Sequence, residues 1–184
     1  YNCPAGEYLN GTSCVTCTAG SYCPGVTKQE YDGGVHGLNT CPTNSNSSAG
    51  ASSCTCNTGY NYNDGTSVTK NACFANTYTL TYQPRTGTNV VGTMPDKTCT
   101  YGQDCIVDTN AFTRTGYSFA GWRCYGGNCN GGKQISSGTN FKNTETRNGV
   151  TLTIIPEWTV NKYTCAAGKY LSGTSCVTCP SGSY

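Results

Sequence analysis

Fifteen cysteines and a single histidine, His36, are the side chains whose chemistry could reach beyond packing. Two pairs stand in Cys14-Val15-Thr16-Cys17 and Cys176-Val177-Thr178-Cys179, a spacing shared by zinc sites, redox dithiols and structural disulfides. Zinc takes about four ligands, and beyond thiolates this chain adds only His36. A thioredoxin-type pair opens a helix within a βαβ pattern, which is not present. The cysteines are therefore read as structural disulfides, and no metal or cofactor is assigned. His36, in Gly33-Gly34-Val35-His36-Gly37, has only Asp32 as a nearby carboxylate and reads as a solvated loop histidine. Asp96 and Asp104 flank a turn and read as solvated or capping carboxylates. Asn61-Tyr62-Asn63-Asp64-Gly65 resembles the start of a calcium loop, but the later ligating positions lack a bidentate Glu, so it reads as a turn. No G-x-S-x-G, P-loop or H-E-x-x-H spacing occurs. The sequence predicts a chain that is not an enzyme.

What must position the cysteines follows from composition. Leu, Ile, Val and Phe make up 23 of 184 residues, far too few for one large core. Disorder would call for high net charge, and the formal charge is only +2. The cysteines fill that gap as staples for modules too small to stand on burial alone, which implies an oxidising compartment. Eleven Lys+Arg against nine Asp+Glu leave no footprint for nucleic acid. No run approaches the roughly 18 apolar residues of a membrane helix; short pairs such as Val90-Val91 and Ile154-Ile155 are typical. The first residues are not a secretion leader, so such a signal is expected outside this sequence.

A repeat explains the odd cysteine count. Residues 1–22 read YNCPAGEYLNGTSCVTCTAGSY and residues 163–184 read YTCAAGKYLSGTSCVTCPSGSY, identical at sixteen of 22 positions without a gap. One period of 162 residues holds twelve cysteines, and Cys165, Cys176 and Cys179 open the next copy. The expected organisation is a cysteine-rich module at 1–73, a β module at 74–162, and the start of another cysteine-rich module at 163–184.

In the first module the pattern CPAGEYL...CVTCTAGSYC resembles the cysteine-rich modules of the tumour-necrosis-factor-receptor and ephrin-receptor-like class. That resemblance implies pairs Cys3–Cys14, Cys17–Cys41, Cys23–Cys54 and Cys56–Cys73, one of 105 ways to connect eight cysteines. Cys165–Cys176 follows as the second copy of Cys3–Cys14. If Cys17 bonds downstream, the partner of Cys179 is expected beyond residue 184. Asn10-Gly11, Gly33-Gly34 and Asn63-Asp64-Gly65 read as turns. Short irregular strands should lie between them.

After Cys73 strand-like alternation replaces the dense cysteines. Tyr78, Leu80 and Tyr82 should share one face of a strand, and Val150–Ile154 repeats the device. Pro156 predicts an edge strand or a bulge before Trp158. Tyr117, Phe119 and Trp122 could cover a small sheet, and one short helix fits only between Asp108 and Thr115. The phrase GTMPDKTCTYGQDCIVDTNAFTRTGYSFAGW, with YTLTYQ before it and TLTIIPEW after it, closely resembles the Listeria-Bacteroides repeat, or internalin-type B-repeat. The resemblance covers about 80 residues, roughly 77–160, and implies a β-grasp-like module, a sheet around a short helical turn, strung along bacterial surface proteins. Cys99, Cys105, Cys124 and Cys129 depart from that family. Cys99 with Cys105, and Cys124 with Cys129, read as local staples across turns, with a longer bridge such as Cys99–Cys124 left open.

The fold class expected is mostly β, a disulfide-rich module plus a β-grasp-like module, in tandem. The expected role is a structural and adhesive repeat of a large secreted or cell-surface protein, such as a fibre or stalk, whose partners are neighbouring copies of itself. A second reading is a binding module for a host receptor or glycan, which a concave aromatic patch would favour. A third, a variable surface antigen, explains the B-repeat phrase poorly. Asn10-Gly11-Thr12 and Asn46-Ser47-Ser48 fit the N-glycosylation pattern, but Ser172 replaces the first asparagine in the second copy, and in a bacterial protein both mark turns. Fourteen tyrosines suit half-exposed surfaces, covering thin cores and meeting neighbours or glycans.

Overall fold

The computed structural model describes residues 1–27, 32–62, 72–85, 89–129 and 131–182. Among them every regular element is a strand, as a chain poor in helix-period apolar residues and rich in Gly, Asn and Thr would build. The chain divides into two compact units.

The first unit holds Tyr1–Thr77 with Thr100–Gly102 and Thr146–Asn148. Its strands are β1 (Glu7–Asn10), β2 (Ser13–Thr16), β3 (Ser21–Tyr22), β4 (Val35–His36), β5 (Asn39–Thr40), β6 (Ser45–Asn46), β7 (Thr55–Cys56), β8 (Tyr60–Asn61) and β9 (Phe74–Ala75). Strand β1 lies between β2 and β4, with Leu9 opposite Cys14 on one side and His36 on the other. The remaining strands form two-stranded pairs β3–β5, β6–β7 and β8–β9. Such short pairs have little stability of their own. Burial is correspondingly divided: Leu9 packs with Cys3 and Val26, and Tyr22 packs with Cys54 and Cys73. Gly6 has φ +93°, and a Cβ there would come within 2.5 Å of the Gly50 carbonyl oxygen, so only glycine lets these backbones meet. At Gly59 the missing Cβ makes room for the ring of Tyr101, which meets Tyr60 edge-on at 5.7 Å.

The second unit holds Tyr78–Cys99, Gln103–Glu145 and the chain from Gly149 onward. Its strands are β10 (Thr77–Tyr82), β11 (Val90–Val91), β12 (Lys97–Thr100), β13 (Thr113–Arg114), β14 (Tyr117–Tyr125), β15 (Lys133–Ile135), β16 (Val150–Val160), β17 (Lys169–Ser172) and β18 (Ser175–Thr178). Five of them form a mixed sheet in the order β12-β10-β16-β14-β15, with β10 and β16 parallel at its centre. Tyr78, Leu80, Tyr82, Leu152 and Ile154 are buried on one face, as their two-residue period requires. Trp122 lies at the heart of this core, against Tyr82 at 5.4 Å, Phe119 at 5.0 Å and Phe112 at 6.2 Å. The buried phenols keep hydrogen bonds: Tyr78 Oη donates to the Phe141 carbonyl at 2.8 Å, and Tyr82 Oη accepts from Asp108 N at 2.8 Å. Burial pushes the Tyr82 phenol up to about 12.

In its strands and loops the structure departs from the sequence expectations at three places. The segment 108–115 is not helical, because the Asn110 side chain clasps Phe112, accepting from its N–H at 3.0 Å and donating to its carbonyl at 2.9 Å. Strand β16 is central, not an edge strand. The Ile154 carbonyl accepts from Gln83 N, so the even positions point toward β10, and Pro156 lacks a donor only where β10 has already ended. The irregularity lies instead in β14, between Phe119 and Gly121. Cys99 and Cys105 do not close a hairpin, since Cys105–Val107 exchange backbone bonds with Gly138–Phe141. By contacts the first compact unit runs to Thr77 and the second opens at Tyr78, with the terminal hairpin grouped in the second.

Candidate functional site

The covalent framework comes first, because it positions everything in the first unit. The bonds are Cys3–Cys14, Cys17–Cys23, Cys41–Cys54, Cys56–Cys73, Cys99–Cys105, Cys124–Cys129 and Cys165–Cys176. Cys17–Cys41 and Cys23–Cys54 are thus corrected to Cys17–Cys23 and Cys41–Cys54. The cause is backbone geometry at Gly6, whose carbonyl accepts from Cys17 N at 2.9 Å while its N–H donates to the Cys23 carbonyl at 2.8 Å. Both cysteines are drawn to one residue, with their Cα atoms 6.1 Å apart. The hairpin of β6 and β7 returns the chain toward Cys41 in the same way. Every bond joins cysteines adjacent in the sequence, so the loops follow one another without interlacing. Fourteen bonded cysteines mark a chain that folds in an oxidising environment. No helix among the described residues is long and apolar enough to cross a membrane.

The same hairpin occurs twice. In β1–β2, Glu7 faces Thr16 and Leu9 faces Cys14; in β17–β18, Lys169 faces Thr178 and Leu171 faces Cys176. The Cys17 N to Gly6 O bond recurs as Cys179 N to Gly168 O, at 2.9 Å in both. What differs is the cover. Leu9 is 1% exposed, whereas Leu171 is 46% exposed. Among the described residues no atom would lie within 4 Å of a Cβ at Gly168, whereas one at Gly6 would meet Gly50. Cys179, half-exposed, has no disulfide partner.

The second unit carries a hollow of about 340 Å³ lined by Asn110, Phe112, Thr113, Arg114, Thr115, Tyr117, Phe119 and Trp158. The Arg114 guanidinium lies over the Tyr117 ring, 3.6 Å from its centre. Phe119 and Trp158 meet edge-on at 6.1 Å. Beside it, Arg85, Arg114, Pro156, Glu157 and Trp158 line a smaller recess of about 150 Å³. Trp158 Nε1 is enclosed, with no hydrogen-bond acceptor among the described residues. The Arg123 guanidinium donates to Glu157 at 2.9 Å and holds its carboxyl below the usual range.

The chain matches no family model, no curated protein and no solved structure.

The other candidate residues are placed as follows. His36 Nε2 lies 2.7 Å from Asp32 Oδ1, which also accepts from Gly34 N at 2.8 Å, so the Asp32 carboxyl is held low by its hydrogen bonds. Asp32 is exposed and His36 is half-buried. Asp104 accepts from Asn140 Nδ2 at 3.1 Å and pairs with Lys142 at 3.3 Å, which lowers it in the same way; it does not meet Asp96. Asn10 is exposed at the end of β1, and Asn46 Oδ1 accepts from Ser47 N at 2.8 Å. Asn63, Asp64 and Gly65 lie outside the described residues. Among the described residues no group of three His, Cys, Asp or Glu side chains is placed to hold a metal. The hollow escaped the sequence reading, although Arg114 and Tyr117, three apart across the Thr115-Gly116 turn, were its one visible signal.

Proposed function

We propose that this chain is a structural and adhesive repeat unit of a large secreted or cell-surface protein, without catalytic activity. The observation that carries the proposal is the duplicated hairpin, with the same register and the same disulfide in both copies. A module opening that recurs with the same strand register and the same disulfide is what tandem repetition would present. The sheet with its first and last long strands parallel at the centre supports the B-repeat, β-grasp-like reading of the second unit. The lack of a helical turn among the described residues counts against its closest form. Electron microscopy of the native protein tests the proposal: rods or beads on a string are expected, and compact globules would count against it.

A second reading, a binding module for a host receptor or glycan, draws on the aromatic hollow. Flat rings beside a guanidinium suit a sugar face bearing hydroxyl or carboxylate groups. Binding of the intact chain to a glycan array, abolished by Arg114→Ala without loss of fold, would favour it.

A further inference from the structure

The hollow and the recess of the second unit share two side chains, Arg114 and Trp158, so they adjoin as one site with unlike halves. The hollow is the roomy half. Its rings Tyr117, Phe119 and Trp158 are each half-buried, which leaves ring surface open, and Thr113 and Thr115 line it with hydroxyls able to give and to take hydrogen bonds. At about 340 Å³ it stands at the lower end of the roughly 300–1,000 Å³ of small-molecule sites, enough for one ring-sized group. The recess, at about 150 Å³, admits only a substituent. Its charge is one-sided. Arg85 and Arg114 line it, and the one carboxylate among its lining residues, Glu157, already accepts two bonds from Arg123, at 2.9 Å and 3.3 Å. Glu157 is held below the usual range by the Arg123 hydrogen bond first and, further, by the charge of Arg85, so the positive field reaches this recess. The Arg114 guanidinium is stacked over the Tyr117 ring, which restricts its side chain before any ligand arrives.

We propose that this combined site binds an acidic saccharide, with the apolar face of a hexuronate ring against Phe119 and Trp158 in the hollow and its carboxylate between Arg85 and Arg114 in the recess. The inference rests on the glycan reading of the hollow and deepens it by naming the class of sugar. A hexuronate carries its carboxylate directly on the pyranose ring, so its apolar and anionic contacts must lie side by side, as the two halves of the site do. Guanidinium groups offer a carboxylate paired N–H donors and keep their charge at every physiological pH. A neutral sugar would fill the hollow and bring no charge to the arginines. An Asp or Glu side chain would satisfy the arginines but offers no flat ring to the hollow. The residue common to both halves adds a donor: Trp158 Nε1 has no acceptor among the described residues, and a small turn of the indole would present it to a ligand oxygen.

The test titrates the full chain, by calorimetry, with trimers of galacturonate, mannuronate and guluronate, with the methyl esters of the same trimers, and with an acidic peptide of Glu and Gly. Expected is saturable binding of a free acid, weakened about tenfold or more by esterification and weakened by added salt. Tryptophan emission reports the place, because the chain has two tryptophans and the other, Trp122, is fully buried. The acid should shift that emission, and Trp158→Phe should abolish the shift. Arg85→Gln, at an exposed residue, and Arg114→Gln should each weaken the free acid about tenfold while leaving ester binding within about twofold, with the melting temperature unchanged. If Arg114→Gln fails to fold, Arg85→Gln decides. Equal affinity for acid and ester, or binding confined to neutral glycans on an array, would overturn the proposal and leave the glycan reading standing. No sugar bound in either assay would overturn both. Tighter binding of the acidic peptide, or self-association of the chain that Trp158→Phe abolishes, would give the site to a protein partner and overturn the proposal.

Discussion

The two units solve one shortage in different ways. In the first, aliphatic side chains are so sparse that burial divides into small clusters, and four disulfides close successive loops around them. In the second, aromatic residues gather around Trp122 to give one continuous core beneath a five-stranded sheet, and Cys99–Cys105 and Cys124–Cys129 trim its loops. The difference teaches where stability resides. A unit of two-stranded pairs owes its fold to the restricted unfolded chain, whereas a unit with a contiguous core owes it to burial.

Reduction should separate the units most sharply. A 15-residue loop closure contributes about 3 kcal/mol, and the first unit's bonds span 11, 6, 13 and 17 residues. Their sum, on the order of 10 kcal/mol, matches the whole stability of a small domain. Hydrogen exchange under a reductant should therefore show β1–β9 losing protection while β10, β14 and β16 keep theirs. Equal loss in both would break the comparison.

Trp122→Ala reverses the emphasis. It should cost about 3–5 kcal/mol in the second unit, read as a drop in its denaturant midpoint, with the first unit's amides unaffected. The hairpins give a finer contrast. Leu9→Ala should cost about 2–5 kcal/mol by opening a buried site, and Leu171→Ala should stay within about 0.5 kcal/mol. Similar costs at both would mean that the second hairpin is covered in solution.

The smallest effect is electrostatic. Glu157, held low by the Arg123 hydrogen bond, contributes stability that is present above the ordinary carboxylate range of about 4.3 and lost as pH falls through its folded value. The melting temperature of the second unit should fall slightly below about pH 4. Glu157→Gln should flatten that slope, and an unchanged slope would remove the pair from the account.

Much of this was legible where chemistry is local. The two-residue alternation of Tyr78, Leu80 and Tyr82 placed them on one buried face, and Cys99–Cys105 and Cys124–Cys129 followed from proximity. The first unit was harder, because Cys17 meets Cys23 through backbone bonds to Gly6, which no side-chain pattern reports. Family likeness supplied an interlaced pairing there, and the geometry is sequential. Pro156 was misplaced for a related reason. The cost of its missing donor depends on where β10 ends, a tertiary fact. At Asn110, a side chain that binds its own neighbourhood overrode a helix-length window. The aromatic hollow needed Trp158 beside the stretch 110–119, a meeting of two separated segments that sequence order conceals.

The central proposal is that the terminal hairpin repeats the opening of the first module and is buried by the same surroundings when they are supplied. The direct test is a polypeptide carrying two full periods in tandem, with exchange of the Leu171 amide and the bonding of Cys179 measured together. The account predicts that Leu171 becomes as protected as Leu9 and that Cys179 bonds to the counterpart of Cys23. A Leu171 amide that still exchanges freely, with Cys179 still a thiol, would contradict it.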